Sequence, residues 1–484
     1  MNLPHNYEMV IGLEVHAQVN TQSKLFSGAA TAFGAEPNTQ ACAIDLAMPG
    51  MLPVLNHAAV DAGIKLGLAI EATVNPVSVF ARKNYFYPDL PKGYQTSQYD
   101  QPIVEHGKLE IEVEPKDGEP YSKVVNITRM HLEEDAGKSI HADHANVSYV
   151  DLNRAGVPLM EIVSEPEIAS PEEAGAYMKK MRALVRFLDI CDGDMEKGNL
   201  RCDANVSVRK KGIKEFGTRC EIKNLNSIRH VMAAIQHEAE RQVEVLEAGG
   251  SIDQQTRLWD PDKQETRTLR SKEDAHDYRY FPCPDLLPLR LSEERIAKVR
   301  ATMPKLPDVL KTELMDAGLP AYDAGLISGD RAYVAYFAEL SQGRDIKLAA
   351  NWMTVELFGA LNKLDKGLED SPVSAAQLGG LVDLIASGKI SGKIAKQVFA
   401  TMLESGKDAA AIVAEQGLGQ ISDEGALREI VAKVVAAMPD AVAKYKGGNE
   451  RVFGSFVGAV MKETKGQANP EMVNRLIKEA VASR

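Results

Sequence analysis

Cysteine is scarce and scattered. Cys42, Cys191, Cys202, Cys220 and Cys283 are five residues in a chain of 484, and no two of them form a C-x-x-C pair. A disulfide framework and a cysteine zinc site are both excluded as organising features. Aromatic residues make up only 6% of the chain, and no apolar run is long enough to span a bilayer, so no membrane partner is expected. The opening Met1-Asn2-Leu3-Pro4 lacks the basic and apolar regions of a signal peptide, which leaves a cytoplasmic protein as the expectation. Basic charge is also in deficit. A formal net charge of −12 argues against a general polyanion binder, because non-specific nucleic-acid affinity rests on clustered Lys and Arg. Any RNA contact must use local basic patches.

What is present is an ordinary globular composition, 44% hydrophobic and 26% charged, in a chain long enough for two to four domains. Up to about residue 290, Gly, Pro, Asn and Asp punctuate short alternating segments that read as strands and loops. From Glu293 onward, apolar residues recur at helical spacing, with a further Ala-rich block from about Leu403. The fold class is therefore α+β, a strand-rich region followed by all-helical ones. Two helices stand out in the first region. Ser170-Pro171-Glu172-Glu173 supplies an N-cap, a proline at the first helical position and two acids in the first turn. Ser227 opens another helix, which Gly249-Gly250 stops.

Alternation in three strands gathers chemistry on one face. In Val10 to Val19, Ile11, Leu13 and Val15 take one side while Glu14 and His16 share the other. Leu200 to Arg209 turns Arg201, Asp203, Asn205 and Ser207 outward. Past a turn near Lys210 to Gly217, Arg219, Glu221 and Lys223 line one side of what reads as the second strand of a hairpin. Antiparallel sheets often expose one polar face, and each strand alone fits that simpler account. Together, however, Glu14, His16, Asp203, Asn205 and Glu221 suit a hard divalent cation held by oxygen and one imidazole, with Lys223, Arg201 or Arg219 to neutralise phosphate oxygens. His131-Leu132-Glu133-Glu134-Asp135 adds acids at the end of a strand from Val124, and parity within that strand leaves Glu133 and Glu134 as alternatives. Ala136-Gly137-Lys138-Ser139 is not a Walker A loop, because the required first glycine falls on Leu132.

Six segments, in order, resemble one family: Val10-Ile-Gly-Leu-Glu-Val-His16, Arg82-Lys-Asn-Tyr-Phe-Tyr-Pro-Asp89, His131-Leu-Glu-Glu-Asp-Ala-Gly-Lys138, the long run Asp151 to Val163, Leu200-Arg-Cys-Asp-Ala-Asn205 and Asp277-Tyr-Arg-Tyr-Phe-Pro282. The chain resembles the B subunit of bacterial tRNA-dependent amidotransferases over nearly its whole length. That resemblance implies a cradle-shaped catalytic domain (1–292), a helical domain (293–404) and a helical tail (405–484) that binds tRNA. It implies a heterotrimer with a glutaminase A subunit and a small C subunit, using ATP to convert Glu-tRNA(Gln) or Asp-tRNA(Asn) to the amide through an acyl phosphate. It implies a Mg²⁺ site formed by Glu14, His16, Glu134, Asp203 and Glu221, taking Glu134 over Glu133. Lys223 and Asn205 are added from geometry as phosphate-facing and ligand-orienting residues; Arg201, Asn205 and Arg279 form the cofactor-binding set, and Arg279 is also the first residue to test for RNA stacking.

Many relatives resemble the chain around Phe26 to Leu46 but carry four cysteines there that hold zinc; with Ser27, Ala29 and only Cys42, this chain is expected to hold no structural zinc. Lys462, Lys465, Arg475 and Lys478 give the tail local positive charge. Two other classes compete with the amidotransferase: a stand-alone Mg²⁺-dependent phosphohydrolase, and a non-catalytic tRNA-binding scaffold.

Overall fold

The computed structural model describes residues 3–141, 147–270, 277–419, 424–464 and 467–483; Lys465 and Arg484 lie outside them. A first compact unit runs from the N-terminus to Leu306. Its frame is a sheet of nine strands: β1 (Tyr7–Gln18), β2 (Thr73–Val74), β3 (Val104–Val113), β4 (Tyr121–Glu134), β5 (Pro158–Ser164), β6 (Leu200–Lys210), β7 (Cys220–Leu225), β8 (Gln255–Asp260) and β9 (Glu265–Arg270). They lie side by side in the order β9-β8-β7-β6-β1-β5-β4-β3-β2.

Every neighbouring pair is antiparallel except β7 and β8. The exception has a local cause. A helix connects β7 to β8, and a crossover of that length returns the chain in the same direction, as a tight turn cannot.

Helices α1 (His57–Ala69), α2 (Pro171–Phe187) and α3 (Ile228–Glu247) cover one side of the sheet. Ser170 Oγ accepts from Glu173 N at 3.1 Å and Ser227 Oγ from His230 N at 3.1 Å, so both caps form as the sequence predicts. Gly249, at φ +79°, follows α3 in a backbone region that costs glycine little. Between helices and sheet lies one hydrophobic core. Ile11, Leu13 and Val15 of β1, Met130 and Leu132 of β4 and Cys202, Ala204 and Val206 of β6 meet Met178, Met181 and Val185 of α2 and Val231 and Ile235 of α3. The other side of the sheet is left for polar groups.

The unit extends past the boundary expected at residue 292, because α4 (Glu293–Ala301) packs on α1. Arg295 donates to Asp61 Oδ1 through Nε at 2.9 Å and Nη2 at 2.8 Å, and Val299 joins the core. Near the N-terminus, the loop after β1 is held by side chains. Asp45 accepts from Ser27 Oγ at 3.0 Å and from Cys42 N at 2.9 Å, and buried Lys24 brings its ammonium to 3.4 Å.

The second unit, Pro307–Arg484, is helical throughout its described elements. It contains two hydrophobic clusters. One runs from Leu319 to Ile412 and the other from Leu427 to Val481. The tail core therefore begins later than residue 405, since Ala409 and Ile412 pack with the preceding cluster. No described helix is long and apolar enough to cross a membrane.

Candidate functional site

Register explains how the acids meet. Glu14 lies opposite Asp203 on β6, and Asn205 lies opposite Glu221 on β7, so the hairpin β6–β7 carries its acids toward β1. Glu14, Asp203 and Glu221 each place one oxygen within 4.8 Å of the others. Neighbours fix the three carboxylates. Asn205 Nδ2 donates to Glu14 Oε1 at 2.8 Å, and Thr256 Oγ1 on β8 donates to Glu221 Oε2 at 2.9 Å. Lys223 Nζ stands 2.5 Å from Asp203 Oδ2 and 2.7 Å from Glu221 Oε1.

A second cluster lies on the other flank of β1. His16 pairs in register with Glu161 of β5, which in turn faces His131 of β4. His16, Glu133 and Glu161 place ligand atoms within 4.8 Å of one another. His16 Nε2 is 3.4 Å from Glu161 Oε2. His131 Nε2 reaches the same oxygen at 3.5 Å and Glu133 Oε2 at 3.6 Å. Ser97 Oγ donates to Glu133 Oε2 at 3.2 Å. Because Glu14 and His16 are two residues apart on one strand, the clusters sit about 7 Å apart along it.

Glu134 does not join either cluster. Along β4, His131 and Glu133 share the polar face, while Glu134 shares parity with core residues Met130 and Leu132. Its carboxylate accepts from Thr96 N at 2.9 Å and is paired with Lys92. Glu134, expected among the metal-facing acids, is therefore turned away from them, and Glu133 and Glu161 stand with His16 instead. Arg201 is also engaged elsewhere: its Nη2 donates to buried Asp135 Oδ2 at 2.9 Å, where Gln18 Nε2 also donates at 2.8 Å. Arg279 is 82% exposed, outside both clusters, in a loop where Asn84 Nδ2 holds the carbonyls of Tyr278 and Arg279.

Electrostatics follow from this packing. Burial and then Glu161, Glu221 and Asp203 raise the pKa of Glu14 above its ordinary value. Burial works against charge on Glu161 too, but His131 and His16 overcome it and hold that carboxyl well below the usual range. Burial opposes protonation of His131, yet Glu161 and Glu133 push its pKa up to about 9. Lys83 is similarly raised, burial being outweighed by Glu133, Tyr280 and Glu161; its ammonium lies 5.0 Å from the centre of the Tyr278 ring. An anion approaching this face would meet two cations, Lys83 and Lys223, on opposite flanks of β1's acids.

Sequence reasoning left Glu133 open beside Glu134 until the resemblance selected Glu134, and it missed Glu161, His131, Lys83 and Thr256. Glu161 had a usable signal, since it is the one charged residue in the mostly apolar strand Pro158–Ser164.

Comparison with known proteins supplies the family. The GatB/GatE catalytic domain matches residues 9–297, and a GatB domain matches residues 335–481. The chain belongs to the GatB family. Its GatB-family relatives include a protein of Thioalkalivibrio sulfidiphilus, 57% identical over 98% of this chain and 99% of its own length. A protein of Granulibacter bethesdensis is 54% identical over 98% of both chains. One from Alkalilimnicola ehrlichii is 55% identical over 99% of this chain and all of its own. All three are named as the B subunit of an aspartyl/glutamyl-tRNA(Asn/Gln) amidotransferase. Both clusters lie within the stretch matched by the GatB/GatE catalytic domain.

Proposed function

We propose that the chain is the amidating subunit of a tRNA-dependent amidotransferase, and that its two acid clusters hold divalent cations for ATP-dependent activation of a carboxylate. The observation that carries this reading is the pair of three-residue clusters flanking β1, one all-carboxylate and one with an imidazole. Oxygen-rich donor sets of this kind fit Mg²⁺ or Mn²⁺. Glu14, Asp203 and Glu221 would hold one ion, and His16, Glu133 and Glu161 the other. Bound there, the ions would neutralise charge on the phosphates of ATP.

The side-chain carboxylate of Glu-tRNA(Gln) or Asp-tRNA(Asn) attacks the γ-phosphorus, and ADP leaves. Ammonia, supplied by a glutaminase partner, then attacks the acyl carbon, and phosphate leaves with its bridging oxygen. Lys223 and Lys83 balance negative charge as the phosphoryl group transfers. Ser97 and Thr256 fix the orientation of Glu133 and Glu221. A small C subunit completes the assembly. The five free thiols support a reducing compartment such as the cytoplasm.

The test is amidation of both acyl-tRNAs by the three-subunit enzyme carrying Glu14→Ala or Glu221→Ala. Amide formation should disappear while acyl-tRNA binding persists. Full activity in both variants would sink the cation reading, and nucleotide turnover indifferent to acyl-tRNA and to the partner subunits would point to a stand-alone phosphohydrolase.

The tail carries a separate expectation. Arg428 and Arg475 share Glu424, so part of its basic charge is internally paired, whereas Lys462 and Lys478 make no salt bridge among the described residues. Truncation after Gly419, which spares the preceding hydrophobic cluster, should raise the KM for acyl-tRNA and leave Mn²⁺ binding unchanged. An unaltered KM would remove the tail from tRNA recognition.

A further inference from the structure

The two clusters are built from the same strand but are neutralised differently. Around His16, Glu133 and Glu161, the groups in direct contact with the carboxylates are imidazoles and the Ser97 hydroxyl, while the Lys83 ammonium acts on Glu133 and Glu161 without an ion-pair contact to either. An imidazole becomes a metal donor on losing one proton, so a divalent cation can be accepted there, with release of that proton, without expelling a side chain. Around Glu14, Asp203 and Glu221, the facing groups are the Asn205 amide, the Thr256 hydroxyl and the Lys223 ammonium. An ammonium has no lone pair to offer a metal.

Lys223 is two residues beyond Glu221 on β7 and projects from the same face. With contacts of 2.5 and 2.7 Å to Asp203 and Glu221, Nζ stands where a bridging cation would draw on the same two oxygens. Metal–oxygen bonds of about 2.1–2.4 Å would bring the ion and the ammonium into direct competition for them. One must leave. The Lys223 side chain is 31% exposed, on a flexible four-carbon stem, so it has room to swing toward solvent. A γ-phosphate arriving on the polar face offers the ammonium new oxygen partners just as the accompanying cation takes its place.

We propose that Lys223 is a tethered cation that fills the Glu14–Asp203–Glu221 cluster in the resting enzyme and yields it only when ATP brings a divalent ion. This rests on the reading of both clusters as cation sites and gives them different roles. The His16–Glu133–Glu161 site loads from solution, whereas the all-carboxylate site loads together with nucleotide. Lys223 then follows the γ-phosphate, so the charge that guarded the empty acids becomes the charge that steadies the transferring group.

The test counts Mn²⁺ by electron paramagnetic resonance in the assembled enzyme, with and without a non-hydrolysable ATP analogue. Wild type should hold one tight Mn²⁺ alone and a second only with the analogue. Lys223→Met should hold two without nucleotide, the second bound about 10- to 100-fold more tightly than in wild type, the scale on which groups beside a metal site tune its affinity. Lys223→Gln, which keeps a neutral donor among the acids, should show the same gain and serves if the methionine variant does not fold. Two tight Mn²⁺ in nucleotide-free wild type, or Lys223 variants that match wild type, would overturn the tethered-cation proposal and leave the cation sites standing. No Mn²⁺ in any form, with or without the analogue, would overturn the cation sites themselves.

Discussion

Glu161→Gln should lower amidation by the assembled enzyme on the order of 10²–10³-fold, the scale on which removing one electrostatic contact to developing charge slows an enzyme. The residue is the hinge of its cluster. His16 and His131 approach the same carboxylate from β1 and β4, at 3.4 and 3.5 Å. The amide is nearly isosteric, so packing survives while the negative charge is lost. Mn²⁺ binding at the nucleotide-independent site should weaken in parallel, and acyl-tRNA affinity should not move, because the tail proposed to recognise tRNA is untouched by the substitution. Amidation at the wild-type rate in Glu161→Gln would remove this carboxylate from the site.

That residue also shows where a sequence stops being legible. Glu14 with His16, and Asp203 and Asn205 with Glu221, could each be set on one face in advance because alternation within a strand and the turn between two strands are local facts, and their shared cation chemistry joined the two sets. Helix starts at Ser170 and Ser227 were readable for the same reason, through caps that need only the next three residues. Sheet order is not local. β5 lies between β1 and β4, and nothing in the run Pro158–Ser164 announces that neighbourhood. Without it, Glu161 has no visible partner, and the choice between Glu133 and Glu134 lacks its reference. Once His16, Glu161 and His131 are in register, parity from His131 selects Glu133 and sends Glu134 to Lys92. The parallel β7–β8 pair was hidden likewise, since it depends on where α3 delivers the chain.

Glu238→Ala should destabilise the first unit by about 3–5 kcal/mol, the usual cost of removing one partner from a buried ionic network. Its carboxylate is fully buried on α3. There it accepts from Arg241 Nη2 at 2.6 Å, Gln242 Nε2 at 2.9 Å and Thr266 Oγ1 at 2.8 Å, with Arg257 Nε at 3.1 Å. The network ties α3 to β8 and β9 from behind the sheet. Adjacent to Arg257 on β8, Thr256 turns to the other face and holds Glu221, so the same anchor sets one edge of the acid cluster. Burial disfavours the charged carboxylate, but its hydrogen bonds from Arg241 and Gln242 prevail and depress the pKa below its ordinary 4.5. For an acid with a depressed folded pKa, the stabilisation is complete above the unfolded value and fades as pH falls through the folded one. The stability gap between wild type and Glu238→Ala should therefore be full at neutral pH and shrink as pH falls below that ordinary value. Urea unfolding can follow this unit alone through Trp259, which is buried on β8, in a Trp352→Phe background that silences the tryptophan of the second unit. A gap that stays constant into acid would assign the loss to side-chain packing rather than to the charge.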